Sequence, residues 1–226
     1  MTTPEVYLHD ISIQQIDKFS DLVSFKCLDL ATDTDYSDFL CISYIRTLQQ
    51  WQNIKHCQFG LHIVIASSYL TENEIAQIKD VLLYRQASNE DVQQCLDLII
   101  QSLVIYQRQD QFECTCLDFS DLKHLISNTT EGFGVKRYAL DEVLAQPVRF
   151  PADFKPQDSD KDATVLSLTL PQDNTFKITH QIIQRFFMDS DIGDNHQIFY
   201  ALRLSNDEIL NGQHNDHVYL IYRKSA

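Results

Sequence analysis

Apolar residues recur along this chain with two different periods, and the change from one to the other outlines the elements. Across Asp91–Tyr106, Val92, Cys95, Leu96, Ile99, Leu103 and Tyr106 fall three or four residues apart, while Leu98, Ile100, Val104 and Ile105 fill the neighbouring faces. A helix apolar round most of its circumference is buried between layers, so this stretch is expected to be a long central helix. Shorter runs, continuous or alternating, predict strands at Glu5–Leu8, Leu22–Leu30, Asp38–Ser43, Leu61–Ala66, Thr164–Leu170, His196–Leu204 and His217–Tyr222. Between them Tyr44–Cys57 carries Ile45, Leu48, Trp51 and Ile54 at helical spacing, and Gly60 ends it. Ser12–Phe19 reads as a short helix, and Asn174 or Thr175 caps another whose stripe is Ile178, Ile182 and Phe186 with Ile183 and Phe187.

Strand, helix and strand joined by short connections imply a parallel sheet, and Leu61–Ala66 has the composition of a strand buried on both faces. Thr71-Glu72-Asn73-Glu74 is a capping box ahead of Ile75, Ile78 and Leu82. Short helices are expected at Asp118–Ser127 and Tyr138–Ala145, with a turn at Gly132 and Gly134 between them. Pro147–Asp162 holds three of the five prolines and reads as a loop. The last two strands are expected to close a hairpin through the polar segment containing Asn211-Gly212. The fold class is α/β: a reduced Rossmann-like nucleotide-type half, a long central helix, then a smaller α/β C-terminal layer. The corresponding boundaries are residues 1–90, 91–112 and 113–226.

Composition narrows the function. The 226 residues suffice for one large domain or two small ones, and 44% of them are hydrophobic. With 18 basic against 32 acidic residues the net charge is −14, and no Lys/Arg cluster offers a footprint for nucleic acid or an anionic membrane. Met1-Thr2-Thr3-Pro4-Glu5 has no basic region before an apolar segment, so no signal peptide is expected, and no stretch is long enough to insert in a membrane. Of six cysteines, Cys27, Cys41 and Cys95 lie in apolar segments, and Cys114-Thr115-Cys116 has neither redox nor zinc spacing. These features predict a cytoplasmic, reducing compartment.

Local chemistry is sparse. Five glycines, none clustered after a strand, leave no G-x-G-x-x-G and no P-loop, and Gly132-Phe133-Gly134 is a turn pattern. His214-Asn215-Asp216-His217 is the most metal-like cluster, but a strand entry does not aim all three ligands to one side. Asp158-Ser159-Asp160-Lys161-Asp162 lacks the glycine and distal glutamate of a calcium loop. No nucleophile and base are singled out among Ser67, Ser68 and the eight histidines. No metal, cofactor or enzymatic activity is expected.

One acidic pair stands apart. Asp118 and Asp121, at i,i+3 spacing in Cys116-Leu117-Asp118-Phe119-Ser120-Asp121-Leu122, fall on one side of a first helical turn, where the helix dipole favours negative charge. This stretch resembles the synergy loop of FtsZ, the tubulin-like GTPase of bacterial cell division, whose pattern is Asn-x-Asp-Phe-x-Asp-Val after a long central helix. Tyr138–Pro147 is similar to the family's Ala/Glu-rich helix ending near a proline, and the flanking elements follow the family's order. The departures are equally specific. Tyr44-Ile45-Arg46-Thr47 stands where the family has its glycine-rich phosphate loop, His9–Ser12 lacks glycine at the first nucleotide loop, and Cys116 replaces the asparagine. The resemblance implies a molecule that keeps the acidic loop and lacks the phosphate cradle. Cys116, Asp118, Phe119, Asp121 and Leu122 would then form a protein interface. The expected function is that of a non-hydrolysing FtsZ-like regulator, with FtsZ or another cell-division protein as partner and self-association left open. An acidic adaptor or scaffold with an unrelated partner is the alternative, followed by a metal-dependent enzyme using His214, Asp216 and His217.

Overall fold

The computed structural model describes residues 5–12, 16–20, 23–31, 35–104, 122, 131–154, 163–171, 175–188, 197–205 and 217–224. Nine strands form one sheet: β1 (Glu5–His9), β2 (Ser24–Cys27), β3 (Tyr36–Ile45), β4 (Phe59–Ala66), β5 (Leu82–Arg85), β6 (Phe133–Ala139), β7 (Ala163–Pro171), β8 (Gln197–Ser205) and β9 (His217–Arg223). Their order is β2-β1-β3-β4-β5-β6-β9-β7-β8. β1 to β5 are all parallel, as the short strand–helix–strand connections predict. β6 joins them through a single parallel pair, Tyr84 with Phe133. Beyond it β9 runs antiparallel to both β6 and β7, and β8 lies parallel to β7 at the outer edge. The α/β class read from the sequence is the class observed.

Three of the differences from expectation have a direct physical reason. β8 and β9 form no hairpin, because β9 inserts between β6 and β7. Val218 to Tyr222 are buried without a break, and a strand apolar on both faces belongs in the sheet's interior. The predicted turn at Gly134 is strand β6, which continues through Tyr138, so the helix α4 starts only at Leu140 (Leu140–Ala145). The helix capped by Thr71 is a single turn, α2 (Glu72–Ile75), and Asp80 at φ 60° separates it from β5, which takes Leu82.

Each face of the sheet has its own cover. Helix α3 (Val92–Ser102) starts at an Asp91–Gln94 capping box, in which Asp91 Oδ1 accepts the Gln94 N–H at 2.8 Å. It presses Cys95, Leu96, Ile99 and Ile100 onto Leu40, Ile42, Ile63 and Ile65, and the same core reaches Val165, Tyr219 and Ile221 in the antiparallel part. Tyr219 Oη donates to Gln101 Oε1 at 2.8 Å, pinning the end of α3 to β9. On the other face α1 (Leu48–Ile54) packs Trp51 and Ile54 against Ile45, Val64 and Ala66. Further along that face α5 (Thr175–Ile183), continued by a π-turn Gln184–Met188, buries Ile182 and Phe186 on Leu166, Leu168 and Leu220. No helix among the described residues is long and apolar enough to cross a membrane.

The junction of β5 and β6 depends on Gly132. It sits at φ 73°, and a Cβ there would lie 2.3 Å from the Leu83 carbonyl oxygen. We expect Gly132→Ala to destabilise the chain by about 2–4 kcal/mol, from left-handed backbone strain and overpacking combined. Urea unfolding followed by the emission of Trp51, the single tryptophan, measures it; a loss below about 1 kcal/mol would contradict this role for the glycine.

Candidate functional site

In an open parallel sheet, ligands collect beyond the C-terminal ends of the strands, where the strand order reverses. Here that point lies between β1 and β3, since β2 flanks β1 on one side and β3 on the other. β1 ends at His9 and Asp10, the latter at φ 57°. β3 ends at Ile45 and leads through Arg46 and Thr47 into α1.

One side chain bridges the two strand ends. Gln50 Oε1 accepts the Arg46 N–H at 2.7 Å and the Thr47 N–H at 3.0 Å. Gln50 Nε2 donates to Asp10 Oδ2 at 2.7 Å, and Thr47 Oγ1 accepts the Gln50 N–H at 3.4 Å to complete a capping box. Backbone amides at such a turn are the groups that would face an anion. Here the Arg46 and Thr47 amides are bonded within the chain, and a carboxylate is drawn in beside them.

Beneath this bridge lies a buried polar group. His9 pairs in register with Ser43, and Ser43 Oγ is 2.8 Å from His62 Nε2. Cys41 Sγ lies 3.6 Å from Ser43 Oγ, and the His62 ring packs on Phe59 and Trp51 at 4.7 and 5.9 Å between centroids. Burial, with a smaller contribution from His9, drives the His62 pKa down to about 3. The same burial pushes the Cys41 thiol up to about 12. His9 is also lowered by desolvation, opposed by Asp10, whose Oδ2 is 3.8 Å from Nδ1. Ser43 and His62 have the spacing of a nucleophile and its base, but Ser43 is 0% exposed and the pair serves as a satisfied core hydrogen bond. Ser67, considered from sequence, accepts the Tyr69 N–H at 3.4 Å and shapes a turn.

The residues singled out from sequence divide between the two sets. Cys116, Asp118, Phe119 and Asp121 lie outside the described residues, as do His214, Asp216 and the acidic run Asp158–Asp162. Leu122 is fully buried in the core that α3 forms. His217 opens β9, and its Nε2 faces the Arg137 guanidinium on β6. Among the described residues no group of three His, Cys, Asp or Glu is placed to hold a metal. Arg46 and Asp10 fall in the stretches Tyr44–Thr47 and His9–Ser12 that the resemblance places at the nucleotide loops, while Gln50 was not singled out beforehand. Thr47-Leu48-Gln49-Gln50 does carry the T-x-x-Q capping signature.

A depressed histidine makes the fold acid-sensitive. The folded state holds His62 neutral, so stability is full above the unfolded pKa of about 6.5 and is lost as pH falls toward about 3. Between pH 7 and 5 we expect His62 to account for a loss of about 2 kcal/mol in urea titrations. The double variant Ser43→Ala/His62→Phe, which replaces both partners by apolar groups, should flatten that slope. An unchanged slope in the double variant would rule His62 out as the source.

No protein-family model matches the chain, and no curated protein matches it. Solved structures do. FtsZ from M. jannaschii, in an empty dimer, superposes with a TM-score of 0.58 over 98% of this chain and 88% of that one, at 10% identity. A tryptophan-to-tyrosine mutant of the same FtsZ gives 0.57 over 99% and 92%, also at 10% identity. CetZ from Methanosaeta thermophila strain DSM 6194 gives 0.49 over 100% and 87%, at 9% identity. At these identities the likeness is one of fold: the chain has the α/β fold of FtsZ.

Proposed function

We propose that this chain is a non-hydrolysing FtsZ-like protein that binds cell-division filaments or their partners in the cytoplasm and regulates their assembly. The observation that carries the reading is the Gln50 bridge. It occupies the Arg46 and Thr47 amides where the resembled family places its phosphate loop, and it draws in the Asp10 carboxylate. A polyphosphate entering there would have to break those bonds and meet a like charge, and no glycine opens the backbone between Ser43 and α1. The bridge supports a reading in which the chain docks to other proteins and does not turn nucleotide over. The resemblance assigns the docking role to Asp118 and Asp121, in the same stretch as Phe119 and the core residue Leu122.

Sedimentation of the host's FtsZ polymers with GTP tests the proposal. Polymer mass is expected to fall at amounts of this protein well below one per FtsZ, and Asp118→Ala/Asp121→Ala should restore it. Unchanged polymer mass with no co-pelleting would overturn the regulatory reading and favour the acidic adaptor with an unrelated partner.

A further inference from the structure

The two outer strands of the sheet are protected very differently. β2 has four residues, and its Lys26 ammonium binds Glu5 on β1 at 2.7 Å. Short, charged edge strands resist pairing with other chains. β8 has nine residues in unbroken parallel register with β7, from Ala163–Gln197 to Pro171–Ser205. Among the described residues its other side pairs with no strand. Gln197-Ile198-Phe199-Tyr200-Ala201-Leu202-Arg203-Leu204-Ser205 contains one charge, no proline and no glycine, and no bulge interrupts its ladder. Tyr200 is 37% exposed, and Phe199 and Leu202 are half-buried. Among the described residues, an edge of this length, about 30 Å, presents a row of backbone donors and acceptors with no proline, bulge or covering strand.

We propose that the outer edge of β8 pairs antiparallel with β8 of a second copy about a two-fold axis at Ala201, joining the two sheets into one. The strand's own pattern favours a second copy over an unrelated strand. With the axis at Ala201, the small residue faces itself, Tyr200 faces Leu202, and Phe199 faces Arg203. In this register the position of Arg203 falls opposite Phe199 and not opposite its own symmetry mate. In a chain of net charge −14, this strand carries one cation and no acid, so two copies approach here with little of their mutual repulsion. An isologous interface of this kind closes at two copies and leaves no free β8 edge. The inference rests on the sheet alone and holds whatever the crevice binds.

Sedimentation velocity of the full chain, with amide deuterium exchange at the same concentrations, tests it. A dimer of twice 26.3 kDa is expected, with a Kd on the order of 1–100 µM for a ladder-dominated interface. Exchange at β8 should slow as concentration rises, while β2 stays unchanged. Tyr200→Lys places a charge on the edge at an exposed position and should raise the Kd by about tenfold or more without altering the melting temperature. A chain that stays monomeric throughout, or a dimer whose β8 amides exchange independently of concentration, would overturn the proposal. The exchange result decides even if Tyr200→Lys fails to fold.

Discussion

The burial of α3 against one face of the sheet is the contact on which the architecture depends. β5 and β6 share one residue pair, so the hydrogen-bonded ladder alone barely joins the parallel strands to the antiparallel ones. Side chains complete the connection. Leu96, Ile99 and Ile100 are fully buried and touch a core with members from both parts; each contributes about 1.5–3 kcal/mol through burial. At the seam the Tyr84 and Phe133 rings meet edge to face at 5.5 Å, Lys224 N–H donates to the Gly132 carbonyl at 3.0 Å, and the Lys224 ammonium lies over the Tyr84 ring. Glu90, just before α3, accepts from the Tyr84 hydroxyl at 3.2 Å and the Ala87 N–H at 3.0 Å, fixing where the helix begins.

That frame brings β1 and β3 together with their C-terminal ends side by side, the arrangement parallel sheets use for ligands. What fills the position is decided by short-range chemistry. Gln50 uses both ends of its amide, one to satisfy two backbone donors and the other to hold Asp10. Directly below, Ser43 and His62 satisfy each other in a dry environment, with Trp51 pinned above them by its indole donation to the Gln77 carbonyl at 3.0 Å. The bridge ties α1 to the ends of β1 and β3, and the His62 ring packs on Trp51 of α1. At this end of the sheet the exposed Asp10, Arg46 and Thr47 are tied to α1 through the Gln50 side chain.

How much of this could be read beforehand depended on whether the information was local. Leu61–Ala66 was legible because its apolar residues are continuous and short, and α1 because Leu48, Trp51 and Ile54 keep helical phase. β6 was not, since Gly132 and Gly134 read as a turn and Lys136-Arg137 hid the alternation. Gly134 is in fact small because the Tyr222 ring lies over it. β5 was missed because Leu82 keeps helical phase with Ile75 and Ile78, a phase that Asp80 interrupts by its backbone conformation. The Asn211-Gly212 pair suggested a hairpin, while the two-sided apolar character of β9 already pointed to an interior strand. Thr47 and Gln50 form a readable capping box, but Asp10 joins them from forty residues away, a contact that no local pattern encodes.

The account stands or falls on the crevice. Calorimetric titration of GTP with Mg²⁺ into the full chain, at about 100 µM protein, addresses it most directly. With the amides of Arg46 and Thr47 taken by Gln50 and the Asp10 carboxylate beside them, no saturable heat is expected. Stoichiometric binding with a Kd in the low micromolar range, about −8 kcal/mol, would contradict it.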